Sequence, residues 1–308
     1  LFHISSNAQQ TFPINGISDE RENYYAFTNA RIYKSYNTFI DSATLIIRKG
    51  KIVSVGKNLN VPNDAVVVDL GFKTIYPGFI DIYTSYGMPE SKPSKGFEYG
   101  RNSNLLPDRK GAYAGNDALK CEFSAIDHFT TDVGKAKQYL EAGFCAVNTH
   151  RMDGISRGSS ALVSLADQRE NLLIIKDKTA HHLSFSKGSS TQAYPGSLMG
   201  IIAVLRQTYL DGEWYARSGY KEQYNLTLAS WNDLQKLPQI IECNDKLNEL
   251  RALKIAEEYN KSYILKGGGN EYQRIDELKG KATQIILPVN FPDAYDVEDP
   301  NIADRINL

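Results

Sequence analysis

Polar side chains that could carry chemistry follow an apolar stretch in the first third of the chain. After a Pro-Gly pair, a strand predicted over 75–83 reaches Asp81 and Tyr83, and Ser85 follows directly. In a β/α barrel, active sites form from side chains at the carboxyl ends of the strands. Hydroxyl groups are poor ligands for a catalytic metal, so this strand end alone does not predict a metal centre.

Four of the five histidines, His128, His150, His181 and His182, are candidates for a metal site elsewhere, and we single out His150 and His181. His150 ends a strand predicted over 144–150, and His181 lies beside His182. Adjacent residues of a strand point to opposite faces, so His181 and His182 cannot easily bind one ion together. The alternative interpretation of a histidine at a strand end is a hydrogen-bonded structural side chain.

Two opposite charges end neighbouring strands near the carboxyl-terminal part of the chain. Glu242 lies in a strand predicted over 239–243, and Lys266 ends one predicted over 263–266. On adjacent strands these side chains could form an ion pair. A buried pair is costly unless it is well hydrogen-bonded, so we expect it to hold structure rather than to catalyse.

The elements that must position these residues alternate between strand and helix. Further strands are predicted over 172–175 and 284–288, and helices over 131–142, 197–210, 247–259 and 272–278. Short loops between such elements favour a parallel sheet with right-handed crossovers. We therefore predict an α/β fold in which residues 75–308 form a TIM-type (β/α) barrel that is apparently incomplete, with about six strands. The segment 211–230 is predicted to be irregular and Tyr-rich, and an insertion at 88–127 is expected to be functional or mobile.

A different pattern precedes the barrel. Short strands are predicted over 25–33, 43–48, 51–56 and 65–70, with a hairpin at 48–51 in which Gly50 supplies the positive φ of the turn. Four such strands cannot cover both faces of their sheet, so a partner layer is expected. We assign residues 24–74 to half of a small β-sandwich.

The order of these segments resembles the metal-dependent amidohydrolase superfamily, and its imidazolonepropionase-like branch in particular. The motifs that carry the resemblance are Asn29-Ala30-Arg31-Ile32, residues 49–56, Val68-Asp69-Leu70-Gly71, residues 77–81, and a Gly-x-x-Arg-Gly-x-x-Ala-Leu segment at 154–162. The resemblance implies a small β-sandwich attached to a barrel, and a hydrolase that acts on non-peptide C–N bonds through a metal-bound water.

The resemblance also implies that the metal ligands have been replaced. Positions that match the family's His-x-His motif hold Tyr83 and Ser85, and those that match its histidines on strands five and six hold Glu242 and Lys266. The aspartate of strand eight would lie beyond residue 308. No cofactor is therefore expected, and zinc or a similar divalent metal is required only if the chain is an active hydrolase after all.

Composition limits the partners. The 35 Lys and Arg residues nearly balance 36 Asp and Glu residues, so no nucleic-acid partner is expected. No apolar run is long enough to span a membrane. Cys121, Cys145 and Cys243 show no zinc-binding spacing, and Cys145 and Cys243 are predicted to be buried.

Residues 1–23 are interpreted as a signal-peptide remnant followed by an extended arm. The first residues are apolar and end in a small-residue stretch, with cleavage plausible after Ala8. The alternative is an arbitrary start. The first interpretation predicts an exported protein that is periplasmic, at the cell surface or secreted.

The leading hypothesis is a degenerate, non-catalytic amidohydrolase unit, a pseudoenzyme, within a longer exported protein. One alternative is an active metal-dependent hydrolase whose site is rearranged or completed by another subunit. The other is a surface binding module for carbohydrate or peptide. The partner expected in the first two cases is the rest of a longer chain or a second subunit that completes the barrel.

Overall fold

The computed structural model of the protein describes residues 23–91, 105–281 and 284–288. The chain divides into two compact units, residues 1–78 and residues 79–308. The interpretation of the first 22 residues as a signal-peptide remnant and arm lies outside the described residues, as does the part of the predicted insertion at 92–104.

The first unit contains one five-stranded sheet. Its strands are β1 (Tyr25–Ser35), β2 (Thr38–Arg48), β3 (Lys51–Gly56), β4 (Val66–Asp69) and β5 (Thr74–Ile75). The order is β3-β2-β1-β4, with β5 paired to β1. The predicted hairpin is confirmed, since Lys49 and Gly50 have φ values of 50° and 68° between antiparallel β2 and β3. Ala30, Ile32 and Ala43 form the small buried core. The second layer of a β-sandwich stays a prediction.

The described part of the second unit contains two sheets. Its strands are β6 (Phe79–Thr84), β7 (Phe144–Thr149), β8 (Ser156–Ser159), β9 (Ala161–Ser164), β10 (Ile174–Lys176), β11 (His181–Ser184), β12 (Gln239–Glu242), β13 (Tyr263–Lys266) and β14 (Gln284–Ile286). The sheet orders are β10-β9-β7-β6 and β14-β13-β12-β11-β8. The parallel pairing predicted for the later strands is confirmed from β12 to β14. Strand β11, which the sequence did not predict, also pairs in parallel with β12, and β6 and β7 are parallel to each other.

The segment 156–164 joins these two sheets. Strand β8 pairs antiparallel with β11, and β9 pairs antiparallel with β7. Only Ser160 separates β8 from β9, so one nearly continuous segment contributes an edge to each sheet. An incomplete barrel built from these strands stays a prediction.

Helices α1 (Val133–Glu141), α2 (Glu170–Leu173), α3 (Leu198–Trp214), α4 (Tyr220–Glu222), α5 (Leu226–Leu234), α6 (Lys246–Glu258) and α7 (Ile275–Leu278) connect the strands. Side-chain caps fix where several of them begin. Asp132 accepts from the N–H of Lys135 before α1, and Ser197 accepts from the N–H of Gly200 before α3. None of the helices within the described residues is long and apolar enough to cross a membrane.

Several predictions of secondary structure and burial were wrong. The strand predicted over 172–175 is the end of α2 followed by β10. The segment 211–230 is largely helical, because α3 continues to Trp214, a π-helical turn spans Tyr215–Gly219 and α5 begins at Leu226. Part of the predicted insertion packs into the core although its backbone is irregular, since Ala118, Leu119 and Cys121 are buried. Cys145 is exposed at the start of β7, although Cys243 is buried as predicted.

Candidate functional site

Six polar or aromatic side chains meet around the strand ends of the second unit. Four stand at or directly after the ends of parallel strands β6, β7, β12 and β13, and two come from β8 and β11. We call this group the polar cluster; it consists of Tyr83, His150, Arg157, His182, Glu242 and Lys266. It includes four of the residues singled out from the sequence.

Arg157 is the residue that links the cluster. Its guanidinium donates to the Tyr83 hydroxyl at 2.9 Å, to a Glu242 carboxylate oxygen at 2.5 Å and, through Nε, to the carbonyl of Gly154 at 3.4 Å. Only 4% of the residue is exposed. A buried guanidinium needs such partners, because an unpaired charge away from water is strongly destabilising. Arg157 therefore fixes the side chains of β6 and β12 to β8.

His150 and His182 lie face to face beside it. Their ring centroids are 3.6 Å apart, the planes differ by 14°, and both side chains are fully buried. Among the residues that the structure describes, none offers a hydrogen-bond partner to any of their four ring nitrogens. Burial, reinforced by the charge of Arg157, lowers the pKa of both imidazoles well below the usual value. Both rings are therefore neutral at physiological pH.

Tyr83 covers one side of this histidine pair. Its ring centroid lies 4.5 Å from that of His150 and 5.6 Å from that of His182, and the Lys266 ammonium lies 5.6 Å from it. Burial raises the pKa of the phenol, although the nearby Arg157 charge acts in the opposite direction. The hydroxyl stays protonated and accepts its hydrogen bond from Arg157.

The prediction that Glu242 forms an ion pair with Lys266 was wrong, because the cation that pairs with Glu242 is Arg157. The two residues are direct neighbours in the register of β12 and β13, yet Glu242 pairs with Arg157. The Lys266 ammonium donates instead to the carbonyl of Gly267 at 2.8 Å. Arg157 is the better partner for Glu242 because its planar guanidinium donates to the carboxylate and to the Tyr83 hydroxyl at the same time. The ammonium group of a lysine lacks this planar arrangement of donors.

Three other residues singled out from the sequence lie outside the polar cluster. Asp81 accepts from the backbone N–H of Tyr83 at 3.0 Å, which stabilises the strand end locally. Ser85 is exposed, and its carbonyl accepts from the N–H of Met88 at 3.1 Å. His181 points to the opposite face of β11 from His182, as the alternation of a strand predicted.

Both ring nitrogens of His181 are used. Nδ1 lies 2.7 Å from the Gln239 side-chain oxygen, so it carries the hydrogen, and Nε2 lies 2.9 Å from the Ser156 hydroxyl, from which it accepts. Burial lowers the pKa of His181 to about 4. The contacts and the burial define a neutral structural histidine in the core.

The polar cluster, as arranged, does not fit a divalent metal. Imidazole lone pairs lie in the ring plane, so an ion midway between the stacked rings would sit roughly 1.8 Å, half of 3.6 Å, out of each plane. The carboxylate of the polar cluster, that of Glu242, is already paired with Arg157. In the part of the chain that the structure describes, no group of three or more His, Cys, Asp or Glu side chains could hold a metal ion.

The fold is similar to that of a solved amidohydrolase. The chain is similar to the crystal structure of an amidohydrolase from Thermotoga maritima, with a TM-score of 0.69 and 19% identity over 92% of this chain and 76% of that one. A second amidohydrolase gives a TM-score of 0.38 at 11% identity, covering 85% and 71%. A prolidase complexed with N-methylphosphonate-L-proline gives 0.33 at 11%, covering 85% and 70%. No protein-family model and no curated protein sequence matches the chain.

Sequence reasoning missed the residue at the centre of the cluster. Arg157 stands within the Gly-x-x-Arg-Gly-x-x-Ala-Leu segment, but it had no assigned role. A signal existed, because a charged residue between Ser156 and Gly158 in a strand that must be buried needs a partner of opposite charge. The glycine that follows it has a φ of +76° and lies against the carbonyl of Phe123, which leaves no room for a side chain.

Proposed function

We propose that residues 79–308 form an amidohydrolase-like unit that does not hydrolyse C–N bonds through a metal ion. In this proposal the polar cluster fastens the strand ends together and replaces the metal centre implied by the sequence resemblance. The unit then serves as a scaffold or a binding surface. The fold similarity supports the architecture, and the side chains of the cluster support the loss of the chemistry.

The position of Arg157 carries the proposal. One nitrogen of its guanidinium lies 2.5 Å from a carboxylate oxygen of Glu242, the acidic member of the polar cluster. A fixed guanidinium opposes a divalent cation electrostatically and occupies the carboxylate that would otherwise help to bind it. Water activation by a metal requires deprotonated or neutral ligands that converge on one point. The cluster lacks that convergence.

Metal analysis combined with a hydrolysis assay tests the proposal. The full chain is purified, loaded with zinc or manganese, passed over a desalting column and analysed for metal by mass spectrometry. It is then assayed against N-acyl amino acids and cyclic amides. We expect no stoichiometric metal and no turnover above the same chain treated with a chelator. Stoichiometric metal together with chelator-sensitive turnover would overturn the proposal.

One observation favours an active hydrolase with a rearranged site. Four buried ring nitrogens without hydrogen-bond partners, on His150 and His182, are uncommon in folded proteins and are suitable metal donors once the rings rotate. On that alternative, replacing both histidines by alanine abolishes metal binding and turnover. Replacing His128, which is exposed and outside the cluster, leaves both unchanged. On our proposal neither change affects metal content, because none is bound.

A further inference from the structure

Two buried carboxyl groups meet at the turn that follows β13. Glu249, on α6, is fully buried, and Glu271, in the 3₁₀ turn Glu271–Arg274, is 5% exposed. A Cβ atom at Gly267 would lie within about 3 Å of an oxygen of each carboxyl group, so both groups crowd the same point of the backbone. Neither residue belongs to the polar cluster. Their role is therefore separate from the proposed function.

The two groups cannot both be ionised without a large cost. Glu271 accepts from the N–H of Gly269 at 3.0 Å, whereas no described residue donates to either oxygen of Glu249. Carboxylates can only accept, so an ionised pair leaves Glu249 unsatisfied and places like charges side by side. The Glu249 carboxyl lies within hydrogen-bonding reach of that of Glu271. One proton removes both costs, because a protonated carboxyl group donates to its neighbour.

The cations of the elements packed against this pair are engaged elsewhere. Lys266, the charged residue of β13, donates to the carbonyl of Gly267 at 2.8 Å. Arg274, in the same 3₁₀ turn as Glu271, pairs with Glu277 at 2.6 Å. A proton is therefore the positive charge that the contacts of the pair call for.

The remaining neighbours add negative charge or none. Asp245, the cap of α6, is a further carboxylate near Glu249, and the thiol of Cys243 after β12 is buried beside the pair. Burial, reinforced by the nearby Glu271, raises the pKa of Glu249 to about 8. The contact between the two carboxyl groups is favourable while Glu249 is protonated, and it is lost as the pH rises through that value.

We propose that Glu249 and Glu271 form a proton-dependent latch that fastens the segment 267–271 to α6. With one proton between them, the carboxyl groups are hydrogen-bonded and the segment is closed. When that proton passes to solvent, two buried negative charges repel each other and the segment opens locally. Asn270 makes the second contact of the same segment with α6, since its side chain accepts from the N–H of Lys246 at 3.0 Å.

Hydrogen–deuterium exchange of the full chain tests the latch when the parent and Glu249→Gln are compared at the same pH. The glutamine amide can donate to Glu271 at any pH, so the variant keeps the segment closed. Intrinsic exchange at one pH is the same in both proteins, so the ratio of parent to variant rates isolates the opening. We expect the ratio for 267–271 to rise at least about tenfold between pH 6 and pH 9. Strand β7 should stay protected in both proteins over the same labelling times.

Two further variants define the result. Glu257→Gln is the matched control, because Glu257 lies on the same helix with an exposed side chain, and its rates should follow those of the parent at both pH values. Glu271→Gln supplies the amide donor from the other side and should exchange more slowly than the parent at pH 9. Thermal unfolding at pH 6 confirms that each variant is folded.

Three results would overturn the latch. The first is a constant ratio of parent to Glu249→Gln rates for 267–271 from pH 6 to pH 9. The second is simultaneous exchange of β7, which would mean global unfolding instead of local opening. The third is closure of the segment at pH 9 by added calcium, which would make the bridge between the carboxyl groups a metal cation instead of a proton.

Discussion

Replacing Arg157 by methionine is expected to destabilise the second unit more than any single change on its surface. The substitution keeps most of the side-chain volume and removes the donors to Tyr83, Glu242 and Gly154. It leaves the Glu242 carboxylate and the Tyr83 hydroxyl without their cationic donor, whereas the Gly154 carbonyl still accepts from the Ser184 hydroxyl at 2.8 Å. The loss of the cation raises the free energy of the folded state, because the partly buried carboxylate regains only part of its hydration there.

The magnitude follows from the burial of the pair. Removing one partner of a buried ion pair costs about 3–5 kcal/mol. The Arg157 side chain is 5% exposed, but that of Glu242 is 24% exposed and recovers some hydration after the change. The expected loss is therefore near the lower end, about 3 kcal/mol. For a unit of this size, that corresponds to a fall in Tm of about 6–12 °C.

Urea unfolding followed by tryptophan fluorescence measures the loss. Both tryptophans of the chain, Trp214 and Trp231, lie in the second unit. Arg206→Met is the matched control, since Arg206 makes two hydrogen bonds of 2.7 and 2.6 Å to Glu258 but its side chain is 40% exposed. We expect that control to lose less than about 1 kcal/mol.

A double-mutant cycle isolates the pair itself. Arg157→Met combined with Glu242→Gln removes both charges, so the double variant should be more stable than the sum of the single losses predicts, by about 1–2 kcal/mol. If Arg157→Met costs no more than the Arg206 control, or if the cycle shows no coupling, Arg157 does not hold the cluster and the reasoning is refuted.

Three further predictions follow from neighbouring contacts. Lys266→Met should change the free energy of unfolding by less than about 1 kcal/mol. The reason is that the Lys266 ammonium donates to the neighbouring Gly267 carbonyl and faces the Tyr83 ring. A loss as large as that of Arg157→Met would contradict this expectation. Burial and the adjacent Glu271 raise the pKa of Glu249 to about 8. The protonated carboxyl therefore contributes to the free energy of unfolding in full below about pH 4.5, and this contribution is lost as the pH rises towards 8. Glu249→Gln should therefore be more stable than the parent chain by about 2–4 kcal/mol at pH 9 and not at pH 5, as measured by urea unfolding; coincident pH profiles would count against it. Gly158→Ala should lower the Tm by several degrees in a thermal melt, since its φ is +76° and the added methyl would meet a backbone oxygen at 1.9 Å; an unchanged Tm would exclude the close approach.

The sequence was sufficient where local rules decide the structure. The hairpin at Lys49 and Gly50 and the beginning of helix α1 depend on residues close together in the chain. The parallel pairing of β12 to β14 follows from the short loops between alternating strands and helices. Alternation along β11 likewise predicted that His181 and His182 would point to opposite faces.

The sequence was insufficient where distant segments compete for the same partner. Glu242 and Lys266 are neighbours in register, and pattern alone favoured their pairing. Arg157, 85 residues away from Glu242, displaced Lys266 because its fork geometry reaches two acceptors. Similarly, helix α5 is set by the burial of Trp231, which depends on packing against α3 rather than on local propensity.

Histidine NMR in the presence of zinc tests directly whether the polar cluster binds a divalent metal. The ring nitrogens of His150 and His182 are assigned through single substitutions, and their long-range proton–nitrogen spectra are recorded with and without one equivalent of zinc. If the polar cluster binds no metal, both rings are expected to stay neutral and their signals to stay unchanged. Saturable shifts of both rings at one equivalent, reversed by a chelator, would contradict it and would make the polar cluster a metal site.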